Sequence, residues 1–297
     1  MLWIPITLAA ATFQILRTAR QHELRAVLTT GSAGFVRYIY GAPLAIVLSA
    51  VMFGVLGRDR PATTPAFWWI VVLAGVAQIL ATVALLKSFK LRAFAIGTVY
   101  SKSEVILVAV AGAIALGEPL RPAGWVAAAL VTIGVTQLAS GGSLGTLVGK
   151  ARDPAALLGI AAGGMFAIAA VGIRAASQEL GDAPAFDRAV VTLTAMLVTQ
   201  TVANAAWFAA TDRSQITATL RAWRPAVTVG VLSLLGSIAW AWAMTLENAA
   251  KVRTLGQVEV VIAFAIAYTR LGERHSTGDL AASAMVVAGV VTVMLFG

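Results

Sequence analysis

The sequence predicts an all-α integral membrane protein with ten transmembrane helices in two inverted five-helix repeats. Three observations carry that expectation. Of the 297 residues, 59% are hydrophobic and only 12% charged, with a mean hydropathy of +0.86. A soluble domain keeps roughly 25% charged residues, so most of this exterior must face something other than water. Uncharged windows long enough to cross hydrocarbon recur along the whole chain. The second half of the chain also matches the first.

A spanning helix needs about 20 mostly apolar residues. Such windows fall at 1–16, 38–57, 67–86, 122–149, 154–173, 189–211, 225–246 and 280–297. Two further hydrophobic segments, 93–117 and 249–271, are interrupted by charge and complete the ten. The opening MLWIPITLAAATFQIL has no basic n-region, so it is expected to be a span and not a leader. The connections GRDRPATTP (57–65), GEPLRP (117–122), GKARDP (149–154), RAWRP (221–225) and GERHSTGD (272–279) are short, polar and rich in glycine and proline. Several end in a proline suited to the first turn of the next helix. Trp3, Trp68, Trp69, Trp125, Trp207 and Trp223 fall near expected span ends, as an aromatic belt requires. The 27 glycines suit helices that must approach closely without a hydrophobic driving force.

Composition also excludes several chemistries. With no cysteine there is no disulfide framework, thiolate nucleophile or thiolate metal site. His22 and His275 both lie in polar stretches, and no histidine–carboxylate cluster has metal-ligand spacing. The net charge of +9 comes from basic residues scattered between apolar runs without aromatic interleaving. That pattern fits lipid headgroups better than nucleic acid.

A shift of 155 residues gives an ungapped match of 84–138 on 239–293. SEVILVAVAGAIALGEPL lies over VEVVIAFAIAYTRLGERH. Glu104 pairs with Glu259, Glu118 with Glu273, and Gly134 with Gly289. The expected units are therefore 1–150 and 151–297, five spans each. Because five is odd, the second enters the bilayer inverted. Inverted repeats build secondary transporters, and interrupted segments at matching places in the two halves point to the substrate site.

Here those segments carry Glu104 and Glu259, each about a dozen residues into its helix. An ionisable group at that depth costs several kcal/mol and usually faces a cavity or a partner. Lys102 sits two residues from Glu104, so on one continuous helix the two point to nearly opposite sides. It either pairs with Glu104 or Glu259 or contacts substrate. Its repeat partner is Gln257, which leaves the second half without this positive charge. Tyr100, one turn before Glu104, could hydrogen-bond the carboxylate or a substrate. Gln78, Gln200 and Asn204 are polar groups inside spans, where interhelical hydrogen bonding is the commoner role. Trp240 and Trp242 lie deep in the eighth span and either line a cavity or pack in the core. Glu118 and Glu273, beside helix breakers, read as structural.

Two segments ending in L-G-E, each followed by a glycine- and alanine-rich span (GWVAAALVTIGV, DLAASAMVVAGVV), resemble the repeated EamA domain of the drug/metabolite transporter superfamily. The resemblance covers nearly the whole chain as tandem copies. It implies two inverted five-helix halves around a central cavity and export of small metabolites such as amino acids. It also implies residence in a bacterial cytoplasmic membrane. The family often has a proline near the middle of these segments, where this chain has Val105 and Val260. A kink is therefore not expected from the residues themselves.

No Walker motif appears, since GSLGTLVGK (142–150) fails the spacing, and no cofactor is expected. Transport would run on an ion gradient or by exchange. A buried carboxyl that binds a proton and a cationic group alternately is the minimal element of a proton-coupled antiporter. Charge counting favours both termini outside, whereas the resemblance implies both inside. Among rivals, a sugar-phosphate, nucleotide-sugar or lipid-headgroup carrier would ask for more cations than Lys102. An intramembrane protease would need a serine–histidine pair within the spans. A passive channel has no use for a repeated carboxylate. The bilayer and a small solute are the expected partners, with protons a further candidate; oligomeric state is left open.

Overall fold

The computed structural model describes residues 1–24, 27–91, 100–140, 153–262 and 277–297. His275, Glu273, Arg25, Arg92, Lys150, Arg152, Arg270 and Arg274 lie outside them, as do the side chains of His22 and Lys90. All regular structure among the described residues is helical. Helices α1 (Trp3–Glu23), α2 (Thr30–Ile39) and α3 (Gly41–Ser49) open the chain, and α3 runs on into a π-helical turn over Ala50–Val55. They are followed by α4 (Pro65–Leu91), α5 (Glu104–Leu116), α6 (Pro122–Ser140), α7 (Pro154–Gln178) and α8 (Ala185–Thr211). Then come α9 (Ser214–Arg221), α10 (Trp223–Leu246), α11 (Ala249–Gly256) and α12 (Thr277–Phe296).

Six stretches among the described residues are long and apolar enough to cross a membrane: Gly31–Val55, Pro65–Leu85, Pro154–Gln178, Ala185–Thr211, Trp223–Leu246 and Thr277–Phe296. Glu104–Leu116 and Pro122–Leu138 are shorter apolar helices. The expected count of ten is thus not reached within the described residues. Two physical reasons are visible. The fourth and ninth segments run into undescribed stretches at 92–99 and 263–276. Helix α1 covers the first expected span but carries Arg17, Arg20 and Glu23 toward its end. Large apolar side chains such as Leu73, Ile114 and Val202 are well exposed, which suits a lipid-facing surface. Trp69, Trp207 and Trp223 are exposed near helix ends as an interfacial belt requires, but Trp3 is buried.

Helix starts follow capping chemistry. Pro65 and Pro154 occupy first helical positions. The Thr64 hydroxyl accepts from Phe67 N–H (3.0 Å) and Asp153 Oδ1 accepts from Ala155 N–H (2.9 Å). Gly57 and Gly117 end their helices in the left-handed conformation (φ +64° and +65°). The short helix α9 was not anticipated. It follows Asp212, whose carboxylate accepts from Ser214 N–H, Ser214 Oγ and Gln215 Nε2.

By contacts the chain forms two compact units, and each draws on both halves of the sequence. The first comprises Met1–Val76 and Gly172–Leu246. In it α10 packs on α1, where Trp240 Nε1 donates to Gln14 Oε1 (3.1 Å). A Cβ on Gly230 would stand 2.5 Å from Tyr40 Cβ, so α10 reaches α2 and α3 only with glycine there. Arg58 ties the first polar connection to the first turn of α8 through buried Asp187 (2.9 Å). The second unit comprises Ala77–Val171 and Glu247–Gly297. It packs α5 on α11 and α6 on α12. The α6–α12 crossing is reciprocal. A Cβ on Gly134 would meet Ala282 O at 2.7 Å and Val286 Cγ2 at 2.8 Å. One on Gly289 would meet Ala127 O at 2.8 Å and Val131 Cγ2 at 2.6 Å. All six residues match in pairs under the shift of 155. The two helices therefore run in opposite directions past a local two-fold axis.

Candidate functional site

The site begins with two interruptions of helical backbone in the second unit. Residues 100 and 101 are helical, Lys102 and Ser103 form a turn, and α5 starts at Glu104. Ser103 N–H donates to Tyr100 O (3.2 Å) and Val105 N–H to Lys102 O (3.3 Å), both three residues back. The usual four-residue step resumes with Leu107 N–H on Ser103 O (3.0 Å). In the second half α11 stops at Gly256, Gln257 is a turn, and helical backbone returns at 258–262. Gln257 N–H donates to Thr254 O (3.2 Å) and Val260 N–H to Gln257 O (3.0 Å). Under the repeat, Lys102 corresponds to Gln257 and Val105 to Val260. The interruptions therefore fall at matching places. The sequence reading expected no kink without proline, and that is corrected: both breaks are present with valine there. A break needs its freed carbonyl satisfied. In the first half Tyr100 O, which accepts from Ser103 N–H, also accepts from the Ser103 hydroxyl at 2.7 Å.

The breaks change where the charges point. Lys102 Nζ donates to Glu259 Oε1 (3.2 Å) and to Gln257 Oε1 (3.0 Å). Glu104 Oε1 lies 2.5 Å from Arg253 Nη2. Both pairs are largely shielded. Side-chain exposure is 8% for Glu104 and 15% each for Arg253, Lys102 and Glu259. Each pair joins one half of the sequence to the other. Arg253 is also within electrostatic reach of Glu259, so the two pairs form one cluster of four ionisable side chains. The expected choice of partner for Lys102 between the two glutamates is resolved toward Glu259.

Arg253 was missed as a site residue. It lies in α11, one turn before Gln257. The second half therefore does carry a cation, placed four residues earlier than the position equivalent to Lys102. A usable signal was present: Arg253 falls inside a segment already identified as a charge-interrupted span.

Helix α7 comes against the first break at Gly163. A Cβ there would stand 2.6 Å from Ser103 Oγ, 3.0 Å from Ser101 O and 3.1 Å from Glu104 N. Nearer the start of α11, Asn248 caps the helix through Ala250 N–H (2.8 Å) and donates to Glu118 O (3.0 Å). Glu118 thus supports α11 through its backbone carbonyl.

Of the other predicted positions, Tyr100 supplies the carbonyl that Ser103 caps, and its phenol is within electrostatic reach of Asp153. Gln78 is half-buried in α4, its carbonyl accepting from Thr82 Oγ1 (2.9 Å). Trp240 and Trp242 belong to the first unit. Trp240 is buried on Gln14, and Trp242 packs edge-on against Phe186 at 4.9 Å. Gln200 Nε2 donates to Gly75 O (3.4 Å) between α8 and α4, and Asn204 Nδ2 donates within α8 to Gln200 O (2.8 Å).

Among known proteins, the model of the EamA-like transporter family matches residues 153–295. A solved crystal structure is similar with a TM-score of 0.72 over 99% of this chain and 97% of its own. At 16% identity that likeness speaks to fold alone. No curated protein matches the chain.

Proposed function

We propose that the chain is a member of the EamA-like transporter family of the drug/metabolite transporter superfamily, whose model matches residues 153–295, and that it is a secondary transporter exporting small metabolites by alternating access. The observation that carries the reading is the pair of reciprocal ion pairs at two matching helix breaks. Breaking a shielded pair without replacement leaves a buried charge and is strongly unfavourable. A solute bearing both an ammonium and a carboxylate offers a replacement for each partner. Its ammonium takes Glu104 or Glu259 while its carboxylate takes Arg253 or Lys102. Amino acids and related compounds have that chemistry. A proton delivered to either glutamate releases its cation in the same way, which links proton movement to cargo.

The finding of Arg253 also favours a second reading. Two cations at the breaks suit a sugar phosphate, nucleotide sugar or lipid headgroup better than Lys102 alone. The two readings separate by cargo. The protein is reconstituted in vesicles, and proton flux is followed after adding amino acids, amines or phosphorylated metabolites. Glu104→Gln and Glu259→Gln are compared with wild type, each first checked for a monodisperse elution profile. The expected result is flux triggered by the amino-acid pool and reduced at least tenfold in one or both variants. Flux triggered only by phosphorylated compounds moves the assignment to the second reading. Equal flux in wild type and both variants removes the carboxylates from the mechanism.

A further inference from the structure

The first compact unit holds a groove that the cluster of four ionisable side chains does not use. It has a volume of about 400 Å³ and opens beside the π-helical turn. Leu56 N–H reaches back five residues to Val51 O (2.9 Å), the signature of the wider π coil. Such turns are rare and recur at functional sites. One wall is Ile46, Ala50 and Phe53; the other is Val191, Ala195 and Val198 of α8. The walls meet where Ser49 Oγ and Thr194 Oγ1 lie 2.8 Å apart, so these hydroxyls satisfy each other. From Ile46 to Gly54 the groove runs roughly 12 Å along the helix axis, at about 1.5 Å per residue.

Its two ends differ in chemistry. Toward Ile46 the lining is hydrocarbon. The other end reaches the polar connection, where Arg60 and Thr63 line it together with the half-exposed Trp68 indole. Arg58, two residues before Arg60, is occupied by Asp187. Among the described residues neither Arg60 nor its neighbour Asp59 makes an ion pair. An apolar trough within a membrane span, ending in an available guanidinium, a hydroxyl and an interfacial tryptophan, has the polarity of a lipid. The guanidinium selects the sign of the headgroup.

We propose that this groove binds one anionic phospholipid, with an acyl chain lying between the π turn and α8 and the phosphate on Arg60. The site is independent of the cluster at Lys102 and stands whether or not that cluster carries cargo.

The test uses the full chain, delipidated in detergent and titrated with dioleoyl phosphatidylglycerol or dioleoyl phosphatidylcholine under native mass spectrometry. Wild type is expected to retain one phosphatidylglycerol in preference to phosphatidylcholine. A basic residue near a membrane surface contributes about 1 kcal/mol toward anionic lipid, or about fivefold in affinity. Arg60→Gln is therefore expected to abolish a preference of about that size. Gly54→Leu fills the trough. A Cβ at position 54 meets nothing within 4 Å, so the fold tolerates it. It is expected to weaken both lipids. Equal binding of the two lipids to wild type, or an unchanged preference in Arg60→Gln, overturns the proposal. So does unaltered binding in Gly54→Leu. Displacement of the lipid by glycerol 3-phosphate at equal concentration also overturns it, because the site would then recognise a soluble phosphate.

Discussion

Arg253 has a carboxylate 2.5 Å away and little water to fall back on, and that sets what its loss should do. Replacing one member of a shielded pair leaves the other buried and unpaired, at a cost of about 3–5 kcal/mol. Replacing both with apolar residues of similar volume is often nearly neutral. Arg253→Met is therefore expected to lower thermal stability in detergent far more than the double variant Arg253→Met with Glu104→Leu. A coupling energy below about 0.5 kcal/mol in that cycle would show that the two side chains act independently. Legibility at this scale was uneven. Glu104 and Glu259 stood out because carboxylates are rare in apolar runs and the repeat aligned them. Arg253 did not, because the repeat places it opposite Thr98 and alignment searches for likeness, whereas an ion pair needs opposites. Trp240 and Trp242 stood out for their depth in the eighth span, yet depth alone could not tell packing from a site; in the structure Trp240 hydrogen-bonds Gln14 and Trp242 packs on Phe186.

At the scale of elements, the helix break at Lys102–Ser103 is the feature the sequence hid, whereas the one at Gln257 directly follows Gly256. Proline and glycine announce interruptions because their backbones force them. The break at Lys102–Ser103 has neither, and persists because the Ser103 hydroxyl and the approach of α7 hold it. Gly163 is the point of that approach, which makes it more than a general packing glycine. Gly163→Ala must push against backbone atoms of residues 101 and 104, whereas Gly164→Ala meets only Leu107 Cδ1 at 4.0 Å. We expect substrate flux in vesicles to fall at least tenfold in Gly163→Ala and to stay within about twofold in Gly164→Ala. Similar behaviour of the two would detach α7 from the break. Helix α9, too short and polar to register as a span, depends on a different device. Hydrogen bonds from the Ser214 and Gln215 side chains hold Asp212 below its ordinary carboxyl value of 3.8. A lowered carboxyl contributes stability above its unfolded value, and that contribution is lost as pH falls through the folded one. Asp212→Asn should thus lower the thermal midpoint at pH 6 and have no effect once the pH is well under 3.8. A difference that persists unchanged in acid would assign the effect to something other than this carboxylate.

For the whole molecule, the repeat in the sequence and the compact units in space divide the chain differently. The repeat cuts it once, near residue 150, while each compact unit takes residues from both sides of that cut. A linear pattern shows which positions match but not which of them meet. In the second unit the matched positions do meet. Gly134 faces Ala282 and Val286 as Gly289 faces Ala127 and Val131, so one antiparallel crossing is built twice from the same pattern. That symmetry has a measurable consequence. Added methyl groups in a tight contact typically cost 1–3 kcal/mol, and each of these would press on a carbonyl oxygen at under 3 Å. Gly134→Ala and Gly289→Ala should therefore destabilise the protein in detergent by equal amounts, within about 0.5 kcal/mol. The double variant should cost less than the sum, because helices already forced apart by one methyl have room for the other. Unequal single effects would mean that the two halves of this crossing carry different loads. Additive effects would mean that the two contacts yield separately, and the crossing would then be two contacts sharing a pattern and not one symmetric joint.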